Sequence, residues 1–117
     1  PEMEVTSWEN ILRCSREVPD LEGRDAVFAI DYANLSDIAS IGVLLKDDET
    51  FYWQTHSWLN IRSLDLPRIK APWKEWAKAG LLTVVDDVEI HPEMMIVWLE
   101  EQAKRYNIKR GALDLYR

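Results

Sequence analysis

Two short apolar segments of the chain each carry one carboxylate. Residues 26–32 contain Asp31, and residues 111–116 contain Asp114. An ionised side chain in a buried strand is costly to desolvate unless it is paired, hydrogen-bonded or bound to a metal. Neighbouring strands lie only about 4.7 to 4.9 Å apart, so Asp31 and Asp114 would share a cation if their strands were adjacent. The simpler interpretation, a solvated carboxylate at the end of each strand, stays open at this point.

Composition and charge limit the class of protein. The chain has 117 residues, of which 47% are hydrophobic and 30% charged, as expected for one globular domain or less. A net charge of −7 argues against a surface that coats nucleic acid, because such surfaces use Lys and Arg to neutralise phosphates. A metal-dependent nuclease site concentrates acidic residues and is compatible with this charge. No segment approaches the roughly 20 apolar residues of a membrane span, so we expect a soluble intracellular protein.

The order of predicted elements indicates an α/β fold. Residues 1–25 are predicted to be a lead-in with one short helix and a linker, and the domain itself is predicted over residues 26–117. The elements predicted in that domain are a strand at 26–32, a hairpin at 38–45 and 51–58, a helix from Pro72 to Gly80, a strand at 81–85, a helix from Pro92, and a last strand carrying Asp114.

The second helix permits a right-handed crossover, which would lay the last strand parallel to one strand of the preceding meander. If that strand is the first one, Asp31 and Asp114 become neighbours. Periodicity alone does not choose the partner strand.

These elements resemble the ribonuclease-H-like fold and, more specifically, the first part of the nuclease domain of phage terminase large subunits. That family consists of DNA-packaging motor proteins. The pieces that carry the resemblance, in chain order, are Trp8 and Cys14, Asp20-Leu21-Glu22-Gly23-Arg24, Ala29-Ile30-Asp31, Ser36-Asp37, His56-Ser57-Trp58-Leu59, Trp76-Ala77-Lys78-Ala79-Gly80-Leu81-Leu82-Thr83-Val84, and Leu113-Asp114-Leu115-Tyr116.

The resemblance implies a two-metal endonuclease site. Asp31 would bridge the metals and Asp114 would bind one of them. Asp37 is a further candidate, either as an auxiliary ligand or as a group that orients one, and a turn or cap role for it stays open. The metals would be Mg²⁺ or Mn²⁺, which prefer carboxylate oxygen and activate water for attack on a phosphodiester. A third acidic ligand is expected beyond Arg117, so the isolated chain is expected to be a C-terminally truncated domain with an incomplete, inactive site.

By the same resemblance, the parent protein would cleave concatemeric double-stranded DNA during genome packaging in the cytoplasm of the bacterial host. Its partners would be the terminase small subunit and the portal. The chain has no Gly-rich phosphate-binding loop ending in Lys-Ser or Lys-Thr, so the ATPase half of the family is absent. An alternative is a non-catalytic interaction module with a nuclease-like fold, which self-associates or binds a packaging partner.

The chain contains six tryptophans, and exposed indoles can stack on unpaired bases. Trp73, Trp76 and Trp98 lie on predicted amphipathic helices, which favours core positions for them. Trp53 and Trp58 alternate with polar residues in the hairpin, so for them the sequence leaves both a core role and a surface role open.

Overall fold

A computed structural model describes residues 6–34 and 38–114 of the chain. It contains one five-stranded sheet with the strand order β4-β3-β2-β1-β5. The elements are α1 (Trp8–Arg13), β1 (Asp25–Asp31), β2 (Ala39–Asp47), β3 (Thr50–Asn60), a single 3₁₀ turn (Leu66–Arg68), α2 (Trp73–Lys78), β4 (Leu82–Val85), α3 (Pro92–Ala103) and β5 (Asn107–Asp114).

The first three strands form an antiparallel meander, and β5 lies parallel to β1. The predicted ribonuclease-H-like arrangement is therefore confirmed, with α3 as the crossover between the meander and the last strand. The short strand predicted at residues 81–85 is β4, and it lies parallel to β3 at the opposite edge of the sheet. Its place in the strand order was not predicted, because a four-residue apolar strand can pair with either edge.

Local sequence explains how the two tight connections are made. The β2–β3 hairpin closes between Asp47 and Thr50, which face each other in register, and Asp48 takes a φ of 54° in the turn. Asp tolerates this left-handed conformation better than most residues do. Gly80 follows α2 with a φ of 82°, as expected for a glycine that ends a helix.

One face of the sheet is covered by α3 and the connections beside it. Two clusters of buried side chains fill this layer. The first contains Ile30, Tyr32, Ala39, Ile41, Trp58, Val85, Ile90 and Met95, and the second contains Leu21, Ala26, Val43, Leu45 and Tyr106. We call this side of the sheet the covered face.

The opposite side is the open face, and its side chains alternate with those of the covered face along each strand. In β1, Val27, Ala29 and Asp31 are exposed, whereas the alternating residues Ala26 and Ile30 are buried and Phe28 is half-buried. This period of two is typical of a sheet that has a second layer on one side only.

The lead-in is attached to the domain by its last residues. Ser7 caps α1 by accepting a hydrogen bond from the backbone N–H of Asn10. Leu21, in the segment predicted as a linker, is 1% exposed and packs in the second cluster. The Gly23 N–H also donates to the Arg105 carbonyl at 2.7 Å, so residues 21–24 are fixed against the end of α3.

Two helical tryptophans differ in their environment. Trp98 on α3 packs against both clusters, as predicted. Trp76 on α2 is 40% exposed, so its predicted core position is wrong. The reason is that α2 is only six residues long and packs against β4 at the edge of the sheet, where no further layer covers it. No helix in the described part of the chain is long and apolar enough to cross a membrane.

Candidate functional site

The two carboxylates predicted to do chemistry lie next to each other. Asp31 is the last residue of β1, and in the parallel pairing of β1 with β5 its partner is Asp114, the last described residue of β5. Partners in a parallel pair project to the same side of the sheet. Both residues are exposed and belong to the open face.

The third candidate, Asp37, lies outside the described residues, so its position relative to Asp31 is not described. Over residues 6–34 and 38–114, no group of three or more His, Cys, Asp or Glu side chains is placed to hold a metal ion. Within this part of the chain, the acidic set at the site consists of Asp31 and Asp114.

Two hydroxyl groups continue the row of polar side chains across the meander. Ser40 faces Asp31 in the β1–β2 register, and Ser57 faces Ser40 in the β2–β3 register. Their Oγ atoms lie 2.8 Å apart and share a hydrogen bond. This pair could not be predicted from the sequence, because serines are common in strands and only the register shows that they are aligned with a carboxylate.

The next row of the open face is made of small side chains. Ala29 faces Gly42 on one side and Ala112 on the other, so the floor beside the carboxylates is low. These residues, together with the carboxylates and serines, line an open groove of about 460 Å³. A row of small side chains lets another molecule approach the sheet closely.

Trp53 forms one wall of this groove. A Cβ atom added to Gly42 would lie 2.3 Å from Cζ2 of the Trp53 indole, so the ring lies directly over the glycine. The indole is nevertheless 52% exposed. The sequence left the role of Trp53 open, and the structure places it on the open face, whereas Trp58 is buried on the covered face.

His56 and Asp87, whose pKa values are lowered, lie away from the groove. His56 is on the covered side, where its ring meets Trp58 edge-on at 4.9 Å and its Nε2 is 2.7 Å from the Thr83 hydroxyl. Burial lowers the pKa of His56, which favours the neutral imidazole. At the β4–α3 connection, a backbone hydrogen bond from Val88 lowers the pKa of Asp87, and His91 contributes in the same direction.

The donor set at Asp31 and Asp114 fits a hard divalent cation. Mg²⁺ is usually held by one or two carboxylates together with waters and substrate phosphate oxygens, and seldom by a cage made only of protein groups. Two carboxylates on one side of a sheet, above a low floor, match that requirement. They do not match zinc, because none of the described residues that line the groove is a Cys or a His.

Comparison with known proteins identifies the family and the fold of the chain. The family model described as terminase large subunit, endonuclease domain, matches residues 2–110, a range that includes Asp31 and ends before Asp114. The crystal structure of the HK97 bacteriophage large terminase is similar to this chain, with a TM-score of 0.73 and 16% sequence identity. The similarity covers 90% of this chain and 22% of that structure. No curated protein matches the chain at a significant level.

At 16% identity, the structural similarity shows the fold alone, and the chain spans about a fifth of that large terminase. The family model, in contrast, covers most of the chain, from the lead-in through β1, the hairpin and α3 into β5. The chain belongs to the family of terminase large subunit endonuclease domains.

Proposed function

We propose that this chain carries part of the active site of a metal-dependent endonuclease, which cuts concatemeric phage DNA during genome packaging in the host cytoplasm. Asp31 and Asp114 are the residues proposed to hold Mg²⁺ or Mn²⁺. In the parent phage protein, the proposed partners are double-stranded DNA, the terminase small subunit and the portal.

The observation that supports this proposal most directly is the pairing of Asp31 with Asp114 in a chain of this family. Either carboxylate alone would be an ordinary surface residue. Their shared register puts two carboxylates side by side on the open face, where both can contribute oxygen ligands to one cation. The low floor formed by Ala29 and Ala112 leaves space beside this pair for a phosphodiester.

The residues of the chain would have distinct roles. A divalent cation, when bound, supplies activation of water and stabilisation of charge on the scissile phosphate. Asp31 and Asp114 would bind it through carboxylate oxygens. The Ser40 and Ser57 hydroxyls, which bond each other at 2.8 Å, can orient water or a phosphate oxygen beside Asp31.

Metal binding is tested first, on the chain itself. Titration with Mn²⁺ is expected to broaden the NMR signals of Asp31 and Asp114 and of the adjoining Ala29 and Ala112. The control is Asp25→Asn, because Asp25 is an exposed carboxylate at the other end of β1. Asp31→Asn should abolish the selective broadening and Asp25→Asn should not. Unchanged Asp31 and Asp114 signals at millimolar Mn²⁺ would reject the metal site.

Cleavage is tested in a polypeptide that also contains the acidic residue implied by the resemblance beyond Arg117. With Mn²⁺, that polypeptide should nick and linearise a supercoiled plasmid, whereas its Asp31→Ala and Asp114→Ala variants should lose at least a hundredfold in rate, as expected when a ligand of the catalytic metal is removed. Equal cutting by all three proteins would contradict the proposed activity.

The alternative proposal, a non-catalytic interaction module, is favoured by a different part of the surface. Ile96 and Val97 on α3 are 48% and 57% exposed, on the side of the helix away from the sheet. Sedimentation of the chain should then show a concentration-dependent dimer that Ile96→Glu disrupts. A clean monomer at all concentrations would count against self-association through this helix.

A further inference from the structure

The open face continues beyond the groove with a different chemistry. After the carboxylate row and the small-residue row, the next side chains on the open face are aromatic, basic or aliphatic. Trp53 faces Leu44, which faces Val27, which in turn faces Arg110 on β5. In the following row Phe51 faces Lys46, and the ammonium group lies 5.4 Å from the centre of the ring. Phe51 is 60% exposed.

The basic side chains of this region have no acidic partner in the described part of the chain. Arg24, Arg62, Arg68 and Lys104 form ion pairs, but Lys46, Lys109 and Arg110 do not. Several carboxylates lie at the same end of the sheet. Asp25 accepts a hydrogen bond from the Asn107 side chain at 3.0 Å, and Asp47 pairs with Arg24. Asp48 and Glu49 lie in the β2–β3 turn and form no ion pair with the three cations. Lys46, Lys109 and Arg110 are thus three cations that form no ion pair with a described residue, in a chain with a net charge of −7.

We propose that these residues form a contact surface for a single-stranded stretch of the DNA that leads to the carboxylate pair. The surface consists of Trp53, Phe51, Arg110, Lys46 and Lys109, and we call it the strand-binding surface. Exposed aromatic rings between unpaired cations are the combination that binds a nucleic-acid strand, because the rings stack on bases and the cations contact phosphates. An acidic peptide would satisfy the cations and would not use the exposed rings.

The geometry links this surface to the groove. Arg110 and Asp114 lie on the same strand and the same face, four residues apart, which is about 13 Å along a β-strand. Successive phosphates of one strand advance about 3.4 Å along a duplex, so Arg110 lies within reach of a strand a few nucleotides from a phosphate held at Asp114. Trp53 lines the groove itself and borders a second cavity with Arg13 and Arg16 of the lead-in. That the bound DNA continues from this surface to Asp31 and Asp114 rests on the proposed function.

The test measures DNA binding by the full chain in EDTA, where no metal contributes and no cleavage occurs. Fluorescence anisotropy of a labelled single-stranded oligonucleotide is recorded over a series of salt concentrations. Arg110→Gln should weaken binding several-fold and reduce the slope of log K against log salt by about 0.7, because one phosphate contact is lost. Trp53→Ala should weaken binding about tenfold with an unchanged slope, because it removes stacking and no charge.

Matched controls come from α2, at the edge of the sheet and outside the groove. Lys78→Gln removes an exposed cation, and Trp76→Ala removes a tryptophan that is 40% exposed. Both should bind within twofold of the unchanged chain. Should Trp53→Ala fail to fold, as judged by its thermal melt, Phe51→Ala replaces it with the same expected loss.

The outcomes separate this inference from the proposed function. Equal affinity of the Arg110, Trp53, Lys78 and Trp76 variants, or no binding by the unchanged chain at low salt, would overturn the strand-binding surface. Displacement of the DNA by polyglutamate with the same dependence on Trp53 would overturn DNA as its occupant. If the variants behave as expected while Mn²⁺ leaves Asp31 and Asp114 unaffected, the surface is supported and the metal-dependent activity is rejected.

Discussion

The two faces of the sheet are built from the same strands and have opposite chemistry. On the covered face, Ala26, Ile30 and Ile41 are packed under α3 and are at most 9% exposed. On the open face, the residues that alternate with them include the carboxylate Asp31 and the small residues Ala29 and Gly42. The exposed indole of Trp53 borders these residues. The difference shows how a small domain separates its tasks: burial on one face stabilises the fold, and the other face is left free to hold charge close to a ligand.

This comparison predicts that a truncation in the covered face costs far more stability than one in the open face. Ile41→Ala removes a side chain that is 1% exposed and should lower the free energy of unfolding by about 2 to 5 kcal/mol. Val27→Ala, at a position that is 37% exposed, should cost less than about 1 kcal/mol. Urea denaturation measures both, and equal losses would show that the open face is also packed in solution.

Two glycines sharpen the comparison, because an added methyl group meets an aromatic ring at both. A Cβ atom at Gly111 would lie 2.3 Å from Phe28, and one at Gly42 would lie 2.3 Å from Trp53. Phe28 packs against both core clusters, so Gly111→Ala should cost about 1 to 3 kcal/mol.

The Trp53 ring can turn toward solvent, so Gly42→Ala should change the free energy of unfolding by less than about 1 kcal/mol. Its effect should appear in DNA binding, because the indole would leave its place over the groove. Comparable destabilisation by both substitutions would mean that Trp53 is as tightly held as Phe28.

A pH effect is expected from the covered face through His56. Burial lowers its pKa below the usual 6.5, so the folded chain binds fewer protons than the unfolded chain as the pH falls below that value. The stabilising contribution is complete above about pH 6.5 and is lost as the pH falls toward the folded pKa, with a slope below about 1.4 kcal/mol per pH unit. His56→Gln should reduce the loss of unfolding free energy between pH 7.5 and 5.5, measured by urea denaturation at each pH. An unchanged dependence on pH would assign the loss to other groups.

The smallest effect on stability is expected at the carboxylate pair. Without metal, Asp31→Asn removes a like charge beside Asp114 and should leave the free energy of unfolding unchanged or raise it by up to about 1 kcal/mol. Mn²⁺ should raise the Tm of the unchanged chain and of Asp25→Asn, but not that of Asp31→Asn, since a ligand stabilises only the state that binds it. A Tm increase of the same size in all three would place the metal elsewhere.

Much of the fold could be predicted from residue patterns because the patterns are local. Pro72, Gly80 and Pro92 mark helix ends by their backbone chemistry, and apolar runs interrupted by an acidic turn mark the hairpin. The prediction failed for Trp76, where helical periodicity indicated a core position. Periodicity shows which side of a helix is apolar, but not whether another layer lies against that side.

The candidate site was only half determined by the same patterns. An Asp at the end of each apolar strand could be recognised as unusual, and the family resemblance assigned roles to Asp31 and Asp114. Ser40, Gly42, Trp53 and Arg110 could not be recognised, because their alignment depends on which strands pair and in what register. Shifting a register by one residue moves every side chain to the other face, and nothing in a single strand reveals that choice.

By itself, then, the sequence of this chain determined the order of its elements, the ends of its helices and the two carboxylates that could take part in chemistry. Each of these depends on residues close together in the chain. The tertiary structure alone decided that β5 pairs with β1, that Asp31 and Asp114 are partners, and that small, aromatic and basic side chains follow them in rows across one face. These are long-range pairings, separated by more than eighty residues in the case of the two carboxylates, and they are set by the packing of α3 on one side of the sheet.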